Sequence, residues 1–135
     1  MQNKHTFYMN LALNVAQASY CVRKKVGALI VNQDNVIAIG YNGTISGFHN
    51  VCELEDGSTR PDVLHAESNA IAKCAKSSNN SDGAALYVTL SPCFECAKII
   101  IQSGIKEVYY LEEYRILDGL NLLRKSKIYV QQIIL

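Results

Sequence analysis

Residues 84–104 read AALYVTLSPCFECAKIIIQSG, and the order of its parts decides the fold. Ala84 to Leu90 is an apolar run of strand length with β-branched and aromatic members, which predicts a buried strand. Pro92 pre-sets a first helical turn, the apolar pattern after it continues to about Ser103, and Gly104 suits the C-terminal cap. Downstream, Lys106 to Leu111 predicts another strand, Leu117 to Lys125 a helix and Lys127 to Ile134 a final strand. Strand, helix, strand, helix, strand is the pattern of an α/β sheet.

Working back towards the N-terminus, Phe7, Leu11, Val15, Ala18 and Val22 recur at helical spacing, so a helix is expected from about Thr6 to Cys21. Val26 to Val31 and Val36 to Gly40 flank Asn32-Gln33-Asp34-Asn35 and read as a β-hairpin. Tyr41 to Asp62 is rich in Gly, Asn, Ser and Asp and reads as a long loop of the functional kind. Ala66, Ala70, Ile71, Ala72 and Ala75 predict a helix from about His65 to Ala75, broken by Ser77 to Gly83. There is no internal repeat.

The chain has 135 residues, 49% of them hydrophobic and 19% charged, which suits one globular domain over residues 1–135. Lys and Arg total 13 against 12 for Asp and Glu, a formal charge of +1, so a nucleic-acid partner is not expected. No apolar run reaches membrane-spanning length and no secretory signal is evident, so a cytoplasmic protein without a membrane partner is expected. Five cysteines are an odd number for such a chain. A disulfide framework is therefore not expected, and metal binding, catalysis or burial must explain them.

His65-Ala66-Glu67 together with Pro92-Cys93-Phe94-Glu95-Cys96 forms the H-x-E…P-C-x-x-C pattern of zinc deaminases. Its physical basis can be followed residue by residue. Cys93 and Cys96 lie three apart at a helix start, so both sulfurs share one face and can chelate one ion. The positive helix end favours thiolates there. Neutral His65 supplies a third ligand, and three protein ligands leave the fourth tetrahedral position of zinc open to water, which is the mark of a catalytic site. Glu67 is two residues from His65, a rotation of roughly 200° in a regular helix, so the pair must sit at an irregular first turn. From there Glu67 can take a proton from the water and hand it to the substrate ring and the departing ammonia. A redox Cys-x-x-Cys would call for a thioredoxin-like unit, which is absent. A closed structural site would need a fourth ligand from Cys74 or Cys52. Taken one at a time, His65 and Glu67 would read as an ordinary core histidine and a first-turn acid.

Val26-Gly27-Ala28, Gly40-Tyr41-Asn42-Gly43, His65-Ala66-Glu67 and Thr89-Leu90-Ser91-Pro92-Cys93 with Cys96 resemble the deoxycytidylate deaminases in order and spacing, over roughly residues 6 to 130. Gly40-Tyr41-Asn42-Gly43 is the substrate-selective piece. The resemblance implies a three-layer cytidine deaminase-like fold, with a five-stranded mixed sheet and helices on both faces. It implies hydrolysis of dCMP to dUMP and ammonia, supplying dUMP for dTMP synthesis. It further implies that Asn42 meets the deoxyribose, that backbone at Ser91 and Pro92 contacts the base or leaving group, and that Tyr114 lines the nucleotide. A half-exposed aromatic on a sheet edge is the plain alternative for Tyr114.

Arg23 is the preferred phosphate donor, with Lys24 and Lys25 beside it and Lys73, Lys76 and Arg115 as competitors. Cys21, His49 and Cys52, with Glu53 or Glu55, would make a second zinc site as in some viral-type relatives, whereas Cys74 reads as a buried apolar residue. Family regulation implies dCTP and dTTP as effectors, Mg²⁺ with a triphosphate, and a homohexamer. Only Thr44 to Leu64 fills the space where relatives carry a longer insertion, so an effector site is expected to be reduced. The competing readings are a tRNA adenosine deaminase, which should present a basic surface, and a non-catalytic zinc-stabilised module, against which Glu67 speaks.

Overall fold

A computed structural model describes residues 3–135. Its first helix, α1 (Lys4–Ala16), starts where the Asn3 side chain accepts from the His5 backbone N–H. Two strands, β1 (Gly27–Asn32) and β2 (Asn35–Tyr41), then form the expected antiparallel hairpin. Gln33 and Asp34 both take positive φ at its tip, the backbone hand that matches the twist of paired strands. After the short strands β3 (Gly43–Thr44) and β4 (Val63–Leu64) come α2 (Ala66–Lys76), β5 (Ala85–Leu90) and α3 (Phe94–Gln102). The chain ends with β6 (Glu107–Glu112), α4 (Asp118–Lys125) and β7 (Tyr129–Gln132).

The sheet has five strands in the order β2-β1-β5-β6-β7. β1 is antiparallel to both neighbours, while β5, β6 and β7 run parallel. This is the mixed sheet that the family resemblance implies, and alternation along each strand gives it two buried faces. Leu29, Val31, Tyr87 and Tyr109 pack against Tyr8, Met9 and Ala12 of α1. Ala28, Ile30, Leu86, Val88 and Val108 pack on the opposite face against α2, α3 and α4. Helices therefore cover both faces, making three layers.

Local differences have physical causes. α1 ends at Ala16 rather than near Cys21, and its buried face is Tyr8, Met9, Ala12 and Ala16. The expected stripe of Phe7 and Val22 is 47% and 86% exposed, because the chain has left the helix before Val22 and the sheet receives the face one residue on from Phe7. Beyond Ala16 the Ser19 hydroxyl donates to the Asn42 carbonyl and accepts from the Cys21 N–H, so polar bonds replace the helical ladder. Pro92 lies one residue before the N-cap of α3 instead of starting the helix, since Cys93 is the cap. The region read as a loop after Tyr41 is pinned by the β3–β4 pair and by a bridge between Glu53 and Thr59.

Cys21 and Cys52 are joined as a disulfide across 31 residues. That corrects two expectations, the absence of a disulfide and a second zinc held by Cys21, His49 and Cys52. A sulfur bonded to sulfur is not the thiolate that zinc takes. Glu53, not His49, is the third donor beside the pair, and His49 acts electrostatically on Asp62. Cys74 is buried in the core, as expected. Among the described residues no helix is long and apolar enough to cross a membrane.

Candidate active site

Two helix starts meet beyond the ends of β2 and β5. His65 is the N-cap of α2 and Cys93 the N-cap of α3, both in extended conformation. This resolves the angular difficulty between His65 and Glu67, since the cap residue lies outside the helical twist and Glu67 is inside it. Gly40 of β2 lets α2 approach this closely, because a Cβ there would come within 2.4 Å of the Ala66 carbonyl oxygen.

His65 Nδ1 lies 3.5 Å from Cys93 Sγ and 3.3 Å from Cys96 Sγ. With Zn–S near 2.3 Å and Zn–N near 2.05 Å, a tetrahedral ion separates such atoms by about 3.6 Å, so the donors stand where zinc would hold them. The three ligand atoms lie within 4.8 Å of one another, and among the described residues no fourth donor joins them. Cys74 sits in the core and Cys52 in the disulfide, which removes both candidates for a closed site.

Backbone donors support the sulfurs. Cys93 Sγ accepts from the Cys96 N–H at 3.5 Å, and the Ser68 N–H faces Cys96 Sγ, so the first turn of each helix serves one thiolate. Hydrogen bonds from Cys96 and then from His65 pull the Cys93 thiol down to about 4, while the bond with Cys93 together with burial pushes Cys96 up. His65 is raised, chiefly by its bond to Cys93. Glu67 is buried, and that burial pushes its carboxyl up to about 7. A carboxyl poised near neutrality can both accept and release a proton.

The cluster opens into a cavity of about 440 Å³, within the size range of small-molecule sites. His65, Glu67 and Cys93 lie on its wall together with Asn42, Ser91 and Tyr114. Pro92 does not line the cavity, being buried between Ser91 and Cys93. Asn42 clamps the entry to β1, accepting from the Val26 N–H at 2.8 Å and donating to the Lys24 carbonyl at 2.7 Å. Its amide keeps a further N–H and lone pair for a ligand. Ser91 is tied in two directions, for its N–H donates to the Glu112 carbonyl and its hydroxyl accepts from the Tyr114 N–H at 2.7 Å. That bond fixes Tyr114 at the cavity wall.

Arg23, Lys24 and Arg115 all line this cavity. Lys25 does not, and Lys73 instead lies over the Tyr41 ring, 5.1 Å from its centroid. Two residues of the site, Glu112 and Asn69, went unnoticed in the sequence. Lys24 pairs with Glu112 at 2.7 Å, and Asn69 donates to the Tyr41 carbonyl at 2.9 Å, fastening α2 to the Asn42 loop. Asn69 had one legible signal, its place one turn after His65. Glu112 had none.

The profile of the cytidine and deoxycytidylate deaminase zinc-binding region matches residues 2–112. The chain is 43% identical over 114 residues to ComE operon protein 2 of Bacillus subtilis, covering 81% of this chain and 59% of that protein. To the human deoxycytidylate deaminase it is 41% identical over 115 residues, covering 79% of this chain and 64% of that protein. It therefore spans about three fifths of the length of these curated relatives. The dCMP deaminase of cyanophage S-TIM5, solved in complex with dCMP and dUMP, superposes with a TM-score of 0.95 at 50% identity, covering 98% of this chain and 99% of that one. The fold and the three-donor cluster define a zinc-type deaminase domain. The chain belongs to the cytidine and deoxycytidylate deaminase family.

Proposed function

We propose that this chain hydrolyses dCMP to dUMP and ammonia. The observation that carries this reading is the likeness, over nearly its whole length, to a protein solved with dCMP and dUMP. The site's own chemistry supports it. His65, Cys93 and Cys96 would hold zinc, which when bound supplies Lewis acidity that brings the ionisation of water into the neutral range. Glu67 takes one proton from the attacking water and delivers it to the ring nitrogen, then takes the second from the hydroxyl now on the ring carbon and gives it to the amine, so that ammonia leaves as the carbonyl forms. Asn42 orients the deoxyribose through its remaining amide N–H, the Ser91 backbone faces the base, and Tyr114 borders the nucleotide. Arg23 and Arg115, which line the cavity without an ion-pair partner among the described residues, receive the 5′-phosphate.

Residues 1–135 act in this reading as one catalytic domain, in the cytoplasm. Regulation by dCTP and dTTP in a homohexamer, with Mg²⁺ on a triphosphate effector, extends the proposal by family resemblance alone. The main experiment incubates zinc-loaded protein with dCMP, dCTP, cytidine and an anticodon stem-loop and follows ammonia release. Release from dCMP is expected. Release confined to the RNA would make the chain a tRNA adenosine deaminase, and release from none would leave a binding module. Adding dCTP or dTTP while following particle size by light scattering tests the regulatory part.

A further inference from the structure

The exposed end of the cavity carries Arg23, Lys24 and Arg115 against Glu53, Glu112 and Glu113, so the formal charges of this rim cancel. The carboxylates are not equivalent. Glu53 accepts from the Val22 and Arg23 backbone N–H groups at 3.0 and 3.2 Å, so it holds the turn before β1. Glu112, at the end of β6, reaches across to Lys24 and pairs with its ammonium at 2.7 Å. Arg23 and Arg115 have no ion pair among the described residues.

A phosphomonoester carries about 1.5 to 2 negative charges at neutral pH, which two guanidiniums can match. Each further phosphoryl group adds at least one charge and extends the chain towards the rim. There it needs the third cation, and Lys24 is already engaged. We propose that Glu112, by holding Lys24 in this ion pair, biases the site towards a nucleoside monophosphate over the triphosphate. The inference rests on the reading that Arg23 and Arg115 receive the 5′-phosphate. Neutralising Glu112 frees the ammonium and leaves the rim one charge more positive. Removing Lys24 leaves Glu112 unpaired and makes the rim one charge more negative.

The test uses the zinc-loaded full chain and separates dUMP formed from dCMP and dUTP formed from dCTP by chromatography. In Glu112→Gln the ratio of kcat/KM for dCTP over dCMP rises about threefold at low salt, and the gain shrinks as ionic strength increases. In Lys24→Met the same ratio falls. Two exposed partners set an effect of this modest size. If Glu112→Gln fails to fold, the Lys24→Met ratio decides. An unmoved ratio in the folded variants, or no gain in dUTP formation by Glu112→Gln while dCMP is still consumed, overturns the inference. Failure of the unsubstituted protein to consume dCMP is a separate result, which removes the functional reading beneath it.

Discussion

Gly119 of α4 lies against the Pro92 carbonyl so closely that a Cβ at this position would come within 2.1 Å of the oxygen and 2.8 Å of Cys93 backbone atoms. The turn that presents Cys93 is therefore braced from behind by a helix remote from it in sequence. Gly119→Ala must move either α4 or the turn. Overpacking of this kind costs roughly 1–3 kcal/mol. The expected outcome is a lower melting temperature together with weaker zinc retention, read by competition with a chromophoric chelator. Unchanged zinc affinity in a destabilised variant would show that the strain is absorbed by α4 alone.

Glu67 faces the cavity but stands outside the group of three donors. Glu67→Ala should therefore keep one zinc per chain while ammonia release falls by about 10² to 10⁴, the range for losing a positioned acid–base group. Cys96→Ala should instead lose the metal and loosen the junction of α2 and α3, because its sulfur bridges them. Metal analysis beside the rate measurement separates the two. A Glu67→Ala protein with an intact rate would remove the proton-transfer role.

The Cys21–Cys52 bond closes 31 residues, spanning the β1–β2 hairpin and the loop that follows it. Chain entropy for a loop of that length corresponds to about 3–4 kcal/mol. Thiol titration of the denatured, metal-free protein should find three free groups, Cys74, Cys93 and Cys96, and five after reduction. Cys21→Ser with Cys52→Ser should unfold at lower denaturant, with the largest gain in hydrogen exchange at residues 42–64. Five free thiols before reduction would show that the pair is not bonded in solution.

After Leu64, β5 and α3 were legible because each is a short apolar run closed by Pro92 or Gly104, and the zinc motif lies within a few residues of helix starts. Side-chain pairs far apart in sequence were not. Lys24 and Glu112 are 88 residues apart, and no local pattern announces that β1 starts and β6 ends at one cavity mouth. The buried face of α1 was misread because it depends on where the helix stops, and Ser19, which helps to stop it, acts through Asn42 across 23 residues. The cysteine pair failed for a different reason. A count weighs compartment, whereas the bond depends on two buried side chains meeting.

His5 makes a pH prediction on the opposite face of the sheet from the zinc cluster. Its Nδ1 is 2.6 Å from the Tyr87 hydroxyl and its ring centroid 4.3 Å from that of Tyr109. Burial, then the neighbouring Lys4 charge, lowers its pKa below the ordinary 6.5, with Glu107 opposing. A lowered histidine means that the fold favours the neutral ring. The stability this contributes is present above pH 6.5 and is lost as the pH falls through the folded-state value. An imidazolium also has no lone pair left to accept from Tyr87. Melting temperatures at pH 7.5 and 5.5 should therefore fall further on acidification in the unsubstituted protein than in His5→Phe, whatever the offset between them. Parallel slopes would mean that the ring titrates alike in the folded and unfolded chains.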